Sequence, residues 1–156
     1  MKIAIACDHA GLPLKQLALD TVRECGHEPL DLGVNSPEPS DYPDQAQLVA
    51  QAIQSGRVER GILLCGSGAG ACIAANKIKG VYASVCHDTY SARQAVQHDA
   101  MNVLCLGPRV IGSELARELI SVFLAANFIG NEPGQERHLR RVGKIHKLES
   151  SMRTDH

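Results

Sequence analysis

Three short segments carry residues whose types and spacing suit chemistry. They are Cys7-Asp8-His9-Ala10-Gly11, Cys65-Gly66-Ser67-Gly68-Ala69-Gly70 and Cys86-His87-Asp88. The glycine segment says most. Glycines let a backbone approach a ligand closely, and free N–H groups at the start of a following helix suit an anion. No Gly-Lys-Ser/Thr follows, which excludes a Walker phosphate loop. Gly66-x-Gly68-x-x-Ala71, with Asp88 about 20 residues further on, also fits a loose dinucleotide-binding pattern. A turn that needs glycine only for packing is the plain alternative.

Cys65 stands where the second segment enters its turn. A thiolate is favoured at a helix start, so Cys65 is a candidate base or nucleophile. Cys7, Cys86 and Cys105 hold comparable positions, however, and cysteine also serves as a small core residue. His9, His87 and His98 each adjoin an aspartate, namely Asp8, Asp88 and Asp99. A carboxylate beside an imidazole fits a hydrogen-bonded or acid–base pair. With no HxH or HxxxH spacing, no metal site is expected.

Strand-like and helix-like segments alternate around these clusters. Apolar runs at Ile3–Cys7, Gly61–Cys65, Val81–Cys86 and Val103–Leu106, with the weaker 28–32, predict five strands. Helical spacing is read from Leu14 to Cys25, from Pro43 to Ile53, over 71–79, over 89–97 and from Leu115 to Ala126. Buried strands joined by helical crossovers imply a three-layer α/β/α sandwich on a five-stranded parallel sheet, Rossmann-like or flavodoxin-like. Ligands of such folds sit beyond the carboxyl ends of the strands, where the three clusters fall.

The chain has 156 residues, 44% apolar and 3% aromatic, which suits one catalytic domain over residues 1–134. Residues 135–156 form a basic helical tail, with six basic and three acidic residues from Gln135 onward against a net −1 for the whole chain. Its arginines form either a solvated face or a phosphate grip. Residues 150–156 are polar and expected to fray. The balanced charge and scarce aromatics argue against nucleic acid. Neither a membrane span nor a signal peptide is read, and six cysteines without a CxxC pair suit the cytoplasm.

The ordered motifs resemble the B-type ribose-5-phosphate isomerases and the related galactose-6-phosphate isomerase subunits. The likeness runs over roughly residues 1–145. It rests on Cys7-Asp8-His9-Ala10-Gly11, Asp41-Tyr42-Pro43, the Cys65–Gly70 turn and Ile73-Ala74-Ala75-Asn76-Lys77. It continues through Ser91-Ala92-Arg93 to His98, Asn102-Val103-Leu104 to Gly107-Pro108-Arg109, and Arg137-His138 with Arg141-Val142. The resemblance implies a metal-free, cofactor-free aldose–ketose isomerase acting on a sugar phosphate, ribose 5-phosphate in the first instance. A six-carbon aldose phosphate such as allose or galactose 6-phosphate is the close rival. A non-catalytic nucleotide- or sugar-phosphate-binding module is the rival of another class.

Carried over residue by residue, the resemblance makes Cys65 the base moving a proton between C1 and C2. Ser67 and the backbone of Gly66, Gly68 and Gly70 become the anion hole for the enediolate. His98 assists ring opening with Asp8, and Tyr42 lines the sugar pocket. His9, Arg109, Arg137, His138 and Arg141 fall on the phosphate side. The family commonly has Asn after the ring-opening histidine; here Asp99 follows, and an ionised carboxylate only accepts hydrogen bonds. No role is assigned to Cys72. His98 ends a crossover helix that returns to the sheet edge opposite Cys65. A homodimer, or a dimer of dimers, with active sites shared between subunits is therefore expected.

Overall fold

The computed structural model describes residues 1–151. Five strands form one parallel sheet: β1 (Lys2–Cys7), β2 (Glu28–Asp31), β3 (Arg60–Leu64), β4 (Ala83–Val85) and β5 (Val103–Leu106). Six helices accompany them: α1 (Lys15–Glu24), α2 (Tyr42–Gln54), α3 (Ala69–Ala75), α4 (Thr89–Asp99), α5 (Ser113–Ala125) and α6 (Glu136–Ser151). The strand order is β2-β1-β3-β5-β4. Its first three members run as in a flavodoxin-like sheet. In the second half β5 is inserted between β3 and β4. That insertion places the loop after β5 beside the glycine turn after β3.

Alternate residues of β1 face opposite layers, as the two-residue period of a strand demands. Ile3, Ile5 and Cys7 pack with α1, α4 and α5, around Val22, Ala92, Leu119 and Phe123. Ala4 and Ala6 face α2 and α3, with Val49, Ala71 and Cys65. The side chains on this second face are small, so α2 and α3 lie close to the sheet. Cys7 and Cys105 are fully buried. Burial pushes the Cys7 thiol up to about 11. A hydrogen bond with Cys72 and burial together hold the Cys105 thiol well above its usual range. Both are core thiols.

Two elements are shorter than the sequence implies, for one physical reason. Asn76 stops α3 at Ala75 by turning its side chain to the Ala83 backbone, donating to the carbonyl and accepting from the N–H, each at 2.8 Å. Asn102 does the same for the entry to β4, accepting from Tyr82 N and donating to Gly80 O, again at 2.8 Å. Side-chain amides there replace the ladder bonds that a longer strand would make.

The tail does not run outward from its own chain. In α6, His138 and Val142 are buried, and the Glu149 carboxylate accepts from Gly80 N and Tyr82 Oη. Ser150 and Ser151 belong to its last turn, where fraying was expected. Residues 152–156, the rest of that segment, lie outside the described residues. Among the described residues, no helix is long and apolar enough to cross a membrane.

Candidate active site

β3 delivers Cys65 to the carboxyl edge of the sheet, where the chain turns sharply into α3. Cys65 is 4% exposed, and its Sγ accepts a hydrogen bond from Gly68 N at 3.1 Å. Gly68 makes this contact in a left-handed conformation, φ +85°. That conformation strains any side-chain-bearing residue. Ser67 is exposed, and its Oγ accepts from Ala69 N at 3.3 Å. The helix that follows has only seven residues, so the amides of the turn, more than a helix dipole, supply the polar groups here.

Neighbouring loops close on this turn. Arg109 N donates to Gly66 O at 3.1 Å, and a methyl at Gly66 would lie 3.2 Å from Arg109 Nη1. The exposed Tyr42 ring covers Gly70, where a methyl would come within 2.7 Å of Cζ. From β1, Asp8 is buried and its Oδ1 accepts from Gly11 N at 2.9 Å. Asp8 N in turn donates to Leu64 O, tying the first segment to the second.

His9 is held reciprocally by Ser40. Its N–H donates to Ser40 Oγ at 3.0 Å, and its Nδ1 accepts from Ser40 N at 3.1 Å. An accepting Nδ1 leaves the proton on Nε2, so the ring presents a donor. Ser40 is absent from the sequence reading because its loop was legible only as a loop.

The remaining site residues lie elsewhere. α4 begins beyond the carboxyl end of β4 and runs 11 residues, ~16 Å at 1.5 Å per residue, to the amino edge before β5. His98 and Asp99 sit on its last turn, which Ala100 closes at φ +57°. There the His98 and His138 rings stack, centroids 4.0 Å apart and planes 20° apart. Gln94 Nε2 donates to His98 Nδ1 at 3.1 Å. Gln94 also escaped the sequence reading, although its place four residues before His98 on one helix was a usable signal. Arg137 and Arg141 are exposed on the first turns of α6, Arg137 Nη1 donating to Gly134 O at 3.0 Å.

One chain therefore carries two separate groups. Asp8, His9, Tyr42, Cys65, Gly66, Ser67, Gly68, Gly70 and Arg109 gather at the carboxyl edge. His98, Asp99, Arg137, His138 and Arg141 gather at the amino edge.

Two residues sit in surroundings that their expected roles did not suggest. The resemblance puts His138 on the phosphate side, but the residue is 3% exposed and, among the described residues, both ring nitrogens are buried without a hydrogen-bond partner, beneath His98. Burial first, then the charges of His98, Arg137 and Arg141, lower its tendency to take a proton. The dinucleotide pattern also loses its acid. Asp88 Oδ1 caps α4 by accepting from Ser91 N at 2.7 Å, and β5 separates its strand from the glycine turn. Among the described residues, no group of three or more His, Cys, Asp or Glu side chains is placed to hold a metal ion.

The sequence matches the ribose/galactose isomerase family over residues 3–145. The chain belongs to that family. Ribose-5-phosphate isomerase B of Escherichia coli is 44% identical over 95% of this chain and 96% of its own. D-erythrulose-4-phosphate isomerase of Pectobacterium atrosepticum is 42% identical over 92% and 93%. A structure of ribose-5-phosphate isomerase B from Mycoplasma genitalium with bound ribulose 5-phosphate superposes with a TM-score of 0.86, at 40% identity over 96% of both chains. In this ribose/galactose isomerase the carboxyl-edge cluster has the elements proton transfer beside a carbonyl requires: a thiol that accepts an N–H bond, and clustered polar backbone.

Proposed function

We propose that the chain interconverts ribose 5-phosphate and ribulose 5-phosphate through an enediolate, at a site built by two subunits. The observation that carries this reading is the Cys65 Sγ held by Gly68 N beside the Ser67 turn. Cys65 takes the proton from the carbon next to the carbonyl and returns it to the neighbouring carbon. A base so placed typically contributes about 10²–10⁴-fold. Ser67 and the turn amides receive the developing oxyanion. Loss of one such donor typically costs about 10²–10³-fold. Tyr42 and the glycine turn line the sugar. Arg109 and the Nε2 proton of His9 face the phosphate.

His98 assists ring opening, and Asp99 accepts from sugar hydroxyls. With Arg137 and Arg141 they come from the neighbouring subunit, whose 135–156 tail completes the site. The separation of the two groups within one chain supports this arrangement. The six free cysteines suit a reducing cytoplasm.

The pentose substrate is favoured by the Mycoplasma genitalium relative, which holds ribulose 5-phosphate. A four-carbon substrate is the second reading, because the Pectobacterium atrosepticum relative, named for erythrulose 4-phosphate, is nearly as similar. The deciding experiment is an isomerase assay across tetrose, pentose and hexose phosphates, with Cys65→Ala alongside. Turnover highest on ribose 5-phosphate, reduced about 10²–10⁴-fold in Cys65→Ala, is the expected outcome. Full activity in Cys65→Ala removes the thiolate mechanism, and faster turnover of a tetrose or hexose phosphate replaces the substrate.

A further inference from the structure

Two histidines stack at the amino edge. His98 is constrained twice. Gln94 Nε2 fixes one edge of its ring through Nδ1, and His138 covers one face at 4.0 Å. The left-handed Ala100 closes the helix immediately beyond, so the backbone under the ring is also fixed. Among the described residues, these constraints leave Nε2 as the ring nitrogen of His98 not engaged by Gln94. His138 differs from His98 in every respect that matters for binding. It is almost wholly buried, and among the described residues neither buried nitrogen has a hydrogen-bond partner. A phosphate oxygen has no route to it while the stack is intact. The exposed Arg137 and Arg141, one on either side in sequence, remain available to an anion.

We propose that His138 is a positioning residue: its imidazole, lying flat under His98, fixes the plane in which His98 presents Nε2, and it makes no contact with substrate. The inference rests on the reading of His98 as the ring-opening residue. A flat aromatic neighbour stacks favourably in an offset geometry and blocks rotation of the ring above it. Burial first, then the charges of His98, Arg137 and Arg141, disfavour a proton on His138, which suits a platform held against another imidazole. Asp99 is the opposing acidic group near the pair. Misplacing a reacting group by about 1 Å can cost ~10²-fold, so fixing one ring plane is of catalytic consequence.

The test compares His138→Ala, His138→Phe, His98→Asn and the His98→Asn/His138→Ala double variant on ribose 5-phosphate. His138→Ala is expected to lower kcat between about tenfold and a hundredfold, with KM within about twofold. His138→Phe, which keeps a flat ring without nitrogens, restores most of that loss. The double variant is no slower than His98→Asn alone, because a residue acting only through His98 has nothing left to position. Carbon–proton NMR of the histidine rings gives a readout apart from turnover. The His98 ring protons of the wild-type protein lie upfield under the neighbouring ring and move downfield in His138→Ala.

A raised KM with kcat intact in His138→Ala would mean a phosphate contact and overturn the proposal. So would a His138→Phe as slow as His138→Ala, or wild-type His98 signals at ordinary positions. Full activity in His98→Asn would instead overturn the ring-opening reading, while the NMR result still reports on the stack. If His138→Ala fails to fold, His138→Leu fills the same space without a ring and takes its place.

Discussion

At the scale of single residues, four of the six cysteines show how surroundings set a thiol's character. Cys7 and Cys105 are sealed in the core and held as thiols. Cys65 accepts an N–H bond at the head of the turn. Cys72, like every cysteine but Cys65, has no role in the proposed reaction; it is half-buried on α3 and donates weakly to Ala83 O at 3.5 Å. Its thiol is lowered to about 7, chiefly by a hydrogen bond from Cys105, against the opposing effect of burial, with help from the Val85 backbone and Asn76. An acid with a lowered value loses its proton earlier as pH rises, and the thiolate is the reactive form. Peptide-resolved alkylation with iodoacetamide should therefore show the Cys72 rate climbing about tenfold per pH unit up to about pH 7 and levelling above it. Cys7, whose thiol lies at about 11, stays unlabelled across the range. A Cys72 rate that keeps climbing beyond about pH 8 would contradict the assignment.

At the scale of elements, the loop from β2 to α2 shows how a structural staple serves the site. Lys15 on α1 is nearly buried, and its Nζ donates to Val34 O at 2.8 Å and to Asn35 Oδ1 at 2.6 Å, while pairing with Asp31 Oδ2 at 2.9 Å. The loop so anchored ends in Ser40, which sets the tautomer of His9. Lys15→Met is expected to cost about 1–3 kcal/mol, read as a lower midpoint in urea unfolding, and to raise KM more than it lowers kcat. An unchanged KM would detach the loop from phosphate binding. Neither Lys15 nor Ser40 announced itself in the sequence, because their partners are 16 to 31 residues away. The strands were legible for a local reason: β1, β3 and β5 are covered on both faces and read as continuous apolar runs. Strand order was not, since no local pattern tells a parallel strand which neighbour to take. The insertion of β5 beside β3, which brings Arg109 to Gly66, emerges only in three dimensions. The glycine turn, Cys65, His98 and the tail arginines, the candidates of the proposed site, stand out by residue type and spacing. The burial of His138 was hidden, because helical spacing gives a face and not what covers it.

At the scale of the molecule, the two groups of site residues occupy opposite edges of one sheet. Side chains cannot bridge an α4-length gap of ~16 Å. A second copy related by a two-fold axis can bring its amino edge, with His98, Arg137 and Arg141, to the carboxyl edge bearing Cys65, and symmetry then makes two such sites per dimer. The basic tail in this arrangement is the phosphate side of the neighbour's site, and its charge answers a small anion instead of a nucleic acid. The arrangement has an arithmetic consequence. Cys65→Ala and His98→Asn each disable both sites of their own homodimer. When the two variants are unfolded together and refolded in equal amounts, half of the dimers are mixed. In each mixed dimer one site carries both substitutions and the other carries neither. Activity should then recover to about a quarter of the wild-type value, from two preparations that are each nearly inactive. Sites confined to single chains would give no recovery at all, so the turnover of the refolded mixture decides whether one chain or two make the working site.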